Sequence, residues 1–242
     1  PPKRRVVQEI DADDSVYARL TAALPTLFAR LDAADSGSVR ALVKNEIDSC
    51  VRRATGVAKA PYVAAFVRVL LEAGERVLLF AHHHSVMDIY KRELKGFRTV
   101  FITGRETGVQ KDAAVSAFMD GKTNLCCISL RAASGLNLQR ATCVVFGELD
   151  WSPAVHSQAE DRAHRIGQND SLLCYYLVSG AGCDAHMQDA LGLKVSQFVA
   201  LMGDRAESEE DVLAAQTEAR NHIEQIIEKL RPGAERSPNA RR

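Results

Sequence analysis

The chain has no net charge: 31 lysines and arginines balance 31 aspartates and glutamates. That excludes a broad electrostatic pull toward nucleic acid or an acidic membrane, so any anionic partner must be held by a local cluster. No uninterrupted apolar run approaches the ~18 residues of a membrane-spanning helix. The first residues, PPKRRVVQEIDADD, hold no apolar signal core and no initiator methionine. Secretion is therefore not expected, and the chain is expected to have been cut from something longer. No CxxC pair occurs among Cys50, Cys126, Cys127, Cys143, Cys174 and Cys183, which removes the commonest zinc and redox patterns. Four of these, Cys126, Cys127, Cys143 and Cys174, stand in apolar runs and read as buried, reduced thiols of an intracellular protein. No GxxxxGK[ST] occurs, so the chain has no phosphate-cradling loop of its own. No GxGxxG follows a candidate strand, which argues against a dinucleotide oxidoreductase. A methyltransferase fares no better without a glycine-rich loop after the first strand, and no Cys or Ser has a convincing base beside it.

What is present is a change of pattern. Residues 13–75 carry helical periodicity, with Val16, Leu20, Ala23, Leu24, Leu27 and Leu31 on one broad face. The spacing predicts further helices over 39–54 and 59–73, with a short break at Thr55 and Gly56. From residue 76 short apolar runs recur: RVLLFA (76–81), TVFIT (99–103), LCCIS (125–129), CVVFGEL (143–149) and LCYYLVS (173–179). Each has strand length and turn-forming or polar flanks. Helical segments are expected between them at 85–94, 109–119 and 154–166, and another at 185–202. Strands alternating with helices predict an α/β fold, a parallel sheet with helices on both faces. Beyond it, 207–230 has an apolar stripe of Val212, Ile223, Ile226, Ile227 and Leu230 and is expected to be helical. The polar tail PGAERSPNARR is expected to be disordered.

In an open parallel sheet ligands gather at the carboxyl ends of the strands. After the first of the five runs comes HHHS, with His82, His83 and Ser85. Adjacent histidines diverge and have no suitably spaced partner, so a metal site is not expected. Ser85 reads as an N-cap, and the helix start behind it can hold a phosphate. After the second comes TGRETG, with Thr103, Gly104 and Arg105. After the third comes SLRAASGLNL, with Ser129 and Arg131 at the strand end, Gly135 for a tight turn and Asn137 as donor and acceptor. The fourth runs into ELDWSPA. Glu148 and Asp150 could be an acid–base pair, but Trp151 and Pro153 so close favour a rigid turn. Trp151 reads equally as a stacking surface or a lid on the core.

The segment QAEDRAHRIGQ (158–168) follows. On a helix Val155, Ala159, Ala163 and Ile166 form an apolar row, and Gln158, Arg162 and Arg165 form a second row roughly 100° away. A merely solvated face would point directly away from the core. Asp161 could instead pair with Arg165 at i,i+4. Spacing alone leaves functional and structural arginines both open.

Taken in order, VLLFAHHHSVMD, TGRETGVQKDAAVSAF, ISLRAASGLNLQRATCVVF and DWSPAVHSQAEDRAHRIGQ resemble the second RecA-like lobe of the Swi/Snf-type ATPases, superfamily 2 helicase-related DNA translocases. The resemblance covers about residues 1–202. FAHH and FGELDW look most like the annealing-helicase branch. Ser152 departs from an asparagine common in the family, and Glu148 or Leu149 stands where an aspartate is frequent.

The resemblance implies a helicase C-terminal RecA-like lobe with flanking helices at both ends. It divides the chain into a connecting helical segment (1–58) after an absent first lobe, the lobe itself (59–203), a C-terminal helix (204–231) and a disordered tail (232–242). It implies that Arg162 and Arg165 are arginine fingers acting on ATP, with Mg2+ and most of the nucleotide held by the absent first lobe. Gly135, Asn137 and Gln158 would lie at the nucleotide. His82, His83, Ser85, Thr103, Gly104, Arg105, Ser129 and Arg131 would contact DNA through its backbone, so binding would be sequence-independent and salt-sensitive. The chain alone would be an inactive ATPase. Its partners would be DNA and the first lobe, with no membrane, and its setting cytoplasmic in a bacterium or nuclear in a eukaryote. The alternative is a non-catalytic nucleic-acid- or protein-binding module of the same fold.

Overall fold

Each of the five apolar runs contains a strand. In the computed structural model, which describes residues 3–132, 135–164, 172–180, 182–191 and 199–200, these are β2 (Val77–Ala81), β3 (Val100–Ile102), β4 (Leu125–Ser129), β5 (Cys143–Phe146) and β6 (Leu172–Val178). They are joined by β1 (Lys3–Glu9) and a two-residue β7 (Val199–Ala200). The sheet order is β3-β4-β2-β5-β6-β1-β7. Every neighbouring pair is parallel except β1 with β7. Helices α4 (His84–Glu93), α5 (Gly108–Met119) and α6 (Pro153–Glu160) make the crossovers that parallel pairing requires.

The strands are apolar throughout because both faces are covered. All residues of β2, β4 and β5 are buried. Val77, Leu79 and Ala81 pack with Val63 and Val67 of α3 (Gly37–Glu72) and with Val86, Met87 and Tyr90 of α4. Leu78 and Phe80 point the other way, with Phe118 of α5 and Ala159 of α6. Each large apolar side chain so buried contributes about 1.5–3 kcal/mol. Ahead of the sheet, α1 (Asp14–Leu20) and α2 (Leu24–Asp32) pack on α3.

Three expectations are corrected. The first predicted helix is two, because Pro25 has no N–H to carry the helix on past Thr21–Ala23. The predicted break at Thr55 and Gly56 does not exist; α3 runs unbroken through it, across residue 58 and across Pro61. Gly56 is there because a Cβ would collide with the Glu148 carboxylate. The helix expected over 185–202 is α7 (Asp184–Ala190), and Val199–Ala200 is a strand paired with β1. By length and composition alone α3 would be long and apolar enough to cross a membrane, but its apolar side is core, packed on β2 and α4. The segments 204–231 and 232–242 lie outside the described residues.

Candidate functional site

Parallel strands place the loops after β2, β3, β4 and β5 along the carboxyl edge of the sheet, whereas residues 158–164 close α6 and lead back toward the start of β6. Those assigned to DNA follow the three adjacent strands β3, β4 and β2. After β3, Thr103 is buried and its N–H and hydroxyl both bond the Glu106 carboxylate, at 2.5 and 3.0 Å. Gly104, at φ 101°, donates to the same oxygen. Arg105 forks onto exposed Asp88 of α4 at 2.6 and 3.3 Å. After β4, Ser129 is buried, whereas Arg131 is exposed in a single 3-10 turn.

After β2 the chain is pinned by Glu148. Its carboxylate accepts from the N–H groups of His82 and His83, at 2.6 and 2.8 Å, and lies 2.6 Å from His83 Nδ1. Burial opposes ionisation of Glu148, but the His83 ring and the two N–H groups overcome it and hold the carboxyl below its usual range. His82 is pushed down to about 4 by burial, then by the Arg52 and His83 charges. It is neutral near pH 7, and its Nδ1 has no partner among the described residues. The cap expectation is corrected: Ser85 lies inside α4, exposed, and the N-cap is His83, which makes no side-chain cap bond.

Glu148 and Asp150 serve the turn. Asp150 accepts from Arg52 at 3.1 Å and from Ser152 N–H at 3.0 Å. Trp151 is 5% exposed, with its indole N–H on Asp48 at 3.1 Å, so it is a lid on the core. His156 is buried against Phe146 and Tyr176, held between Ser152 O and Asp150 N–H.

The helical row of Gln158 and Arg162 is broken, because α6 ends at Glu160. Gln158 is exposed on α6. Arg162 sits in a tight turn where its N–H reaches Ala159 O at 3.2 Å. The next two N–H groups, of Ala163 and His164, both reach Glu160 O, at 3.0 and 2.9 Å. Arg162 O accepts from Leu138 N–H at 2.9 Å. This joins the arginine turn to the loop carrying Gly135 (φ 78°) and Asn137, both exposed. Arg162 Nε is buried with no partner among the described residues. Arg165 lies outside them.

Sequence reading missed the residues that hold the end of α6 on the sheet. Glu160 is fully buried and accepts from Arg5 Nε and Nη2 at 2.8 and 2.7 Å and from Tyr176 Oη at 2.7 Å, with Lys3 Nζ at 3.1 Å. The signal was faint: an acidic residue beside the apolar Ala159–Ala163 row, and a basic run in what proves to be β1. No group of three or more His, Cys, Asp or Glu side chains among the described residues could hold a metal ion.

The parallel sheet with helices on both faces and loops along its carboxyl edge agrees with the fold expected of a RecA-like helicase C-terminal lobe. Structural likeness agrees: the C-terminal part of the Fun30 ATPase domain matches with TM-score 0.64 at 14% identity, covering 93% of this chain and 98% of that one. The Sulfolobus solfataricus SWI2/SNF2 ATPase core in complex with dsDNA matches with TM-score 0.62 at 19% identity, covering 92% of this chain and 50% of that one. Residues 61–167 match the family described as helicase conserved C-terminal domain. The SWI/SNF-related matrix-associated actin-dependent regulator of chromatin subfamily A-like protein 1 of Bos taurus is 35% identical over 173 residues, 70% of this chain and 18% of the relative. The DNA annealing helicase and endonuclease ZRANB3 of Homo sapiens is 33% identical over 158 residues, 63% of this chain and 15% of the relative. The chain carries a Swi/Snf-type helicase C-terminal lobe. It spans less than a fifth of the length of either of these two relatives.

Proposed function

We propose that the chain is the second motor lobe of an ATP-dependent, DNA-stimulated double-stranded DNA translocase or remodeller. It supplies arginine fingers, Arg162 and Arg165, to an ATP site completed by a first lobe. The observation that carries this reading is Arg162: its turn is bonded to the loop of Gly135 and Asn137, yet its buried Nε is left without a partner among the described residues. A buried guanidinium N–H without an acceptor is costly, and a phosphate oxygen is the acceptor such a group fits.

ATP with Mg2+ would bring a γ-phosphate whose charge grows on its outer oxygens during transfer. Arg162, with Arg165, offers planar donors to those oxygens, an effect worth about 10³–10⁵ in rate in other phosphoryl-transfer enzymes. Gly135, Asn137 and Gln158, all exposed, are free to meet the nucleotide from this side. On the β3-β4-β2 half of the edge, Arg105, Arg131 and Ser85 offer side-chain donors to DNA phosphates, and Gly104 holds the turn that presents Arg105. Thr103, Ser129, His82 and His83 take part as the packed ends of those loops.

The test is DNA-stimulated ATP hydrolysis by the complete protein in which this chain lies. Arg162→Ala and Arg165→Ala should each lower turnover by orders of magnitude with folding intact, and the chain alone should hydrolyse little ATP. Near-normal turnover in both variants would leave the lobe a non-catalytic binding module.

A further inference from the structure

Glu160 is an expensive residue where it stands. A fully buried carboxylate loses its hydration, and an apolar replacement of a buried ion pair is often as stable. Stability alone therefore does not account for it. Four donors from three residues outside α6 converge on it. Arg5 of β1 grips both oxygens, Lys3 of β1 adds a second cation, and the Tyr176 hydroxyl of β6 completes the set. Arg5 also reaches Ser157 Oγ at 3.3 Å, one turn back on α6. Lys3 also reaches Asp161 at 3.4 Å.

The main chain of the same residue shapes the turn that follows. Glu160 O takes the N–H groups of Ala163 and His164, bracketing Arg162. A residue fixed by a bidentate guanidinium and a hydroxyl cannot rotate without breaking charge-assisted bonds in a poorly solvated site. Rotation at Glu160 would swing the Cα of Arg162 two residues on. The Leu138 bond at Arg162 O holds the far side.

We propose that Glu160, clamped by Arg5 and Lys3, is the positioning residue for Arg162: the clamp between the first strand and the end of α6 sets where that guanidinium points. The proposal rests on the reading of Arg162 given above. Displacement of a reacting group by about 1 Å can cost on the order of 100-fold in rate, so loosening the clamp slows turnover without touching nucleotide or DNA.

The experiment is a double-mutant cycle in the complete protein, following kcat and KM for ATP and duplex affinity. Glu160→Gln keeps the side-chain shape and an acceptor for Tyr176 but loses the ionic grip. It should lower kcat about tenfold or more, with KM and duplex affinity within about threefold of the parent. In an Arg162→Ala background it should have almost no further effect. Arg5→Lys, which keeps a charge but not the fork, should fall between Arg5→Met and the parent. If Glu160→Gln does not fold, Arg5→Met carries the same cycle. Additive losses with Arg162→Ala, or full turnover in Glu160→Gln and Arg5→Met, overturn the clamp. An Arg162→Ala protein of normal activity overturns instead the reading on which the clamp rests.

Discussion

Lys59 Nζ and Asp184 Oδ2 lie 2.7 Å apart, with the side chains 0% and 2% exposed. The ammonium also donates to Leu177 O at 2.8 Å, and the carboxylate also accepts from the Ser179 N–H at 2.9 Å. This pair ties the middle of α3 to the end of β6 and the start of α7. Lys59→Met removes the cation and leaves the carboxylate buried. It should cost about 3–5 kcal/mol, the usual result of breaking one side of a buried pair. Combining it with Asp184→Asn should recover a large part of that loss. Urea unfolding with unchanged m-value is the measurement. A single variant as stable as the parent would show that water reaches the carboxylate.

Gly56 predicts the reverse of its propensity. Alanine is better than glycine in a helix interior by about 1 kcal/mol. Here the added Cβ would overlap the Glu148 carboxylate. Glu148 cannot retreat, because it holds the N–H groups of His82 and His83. Gly56→Ala should therefore destabilise by about 1–3 kcal/mol, as overpacked sites do. Gly37→Ala, with nothing within 4 Å of its Cβ, should be neutral or mildly stabilising. Thermal melts of the two variants check this, and a Gly56→Ala protein more stable than the parent would contradict the close approach.

These two sites show where the sequence was legible. The five apolar strands and three crossover helices follow from periodicity, which is local. The break wrongly placed at Thr55 and Gly56 comes from the same local reasoning. A β-branched residue and a glycine weaken a helix intrinsically, but here they are chosen by distant neighbours. Thr55 Oγ1 donates to Val51 O and accepts from Cys183 N–H, and Gly56 makes room for Glu148. The strand β1 was hidden for a related reason. KRRVVQE carries few apolar residues, and its Arg5 is explained only by the buried glutamate it meets 155 residues later. The loops of the candidate site were found from motif order, but Glu148 and Glu160, which hold two of them, show no periodic signal.

Acid should weaken the fold in two stages. His82 and His156 have folded values pushed below 6.5, chiefly by burial, so the unfolded chain takes up protons first. Their contribution is complete above 6.5 and falls as pH drops, for His82 down to about 4. Glu148, Glu160 and Asp150 are held below their usual range by their donors despite burial. Their contribution is complete above about 4.5 and is lost as pH falls further. Asp48, pushed up by burial, works the other way and softens the second stage. The urea midpoint should therefore slope downward from pH 6.5 to 4.5 and steepen below. His82→Asn should flatten part of the first stage. A midpoint constant down to pH 4.5 would mean that neither histidine is desolvated.

Arg105 offers the most direct test of the DNA contact proposed for the β3 side. Its guanidinium is about half exposed and forks onto Asp88, itself 56% exposed. Such a pair is screened and easily exchanged, so a phosphate can take the place of the carboxylate. Asp88→Asn removes the competitor and one negative charge, and should tighten duplex binding most strongly at low salt. Arg105→Ala should weaken binding equally for duplexes of unrelated sequence. It should also reduce the slope of log affinity against log salt by about one. Fluorescence anisotropy over a salt series separates the cases. A loss confined to some sequences would make Arg105 a base-reading residue, and an unchanged slope with unchanged affinity would leave it paired with Asp88 in the complex.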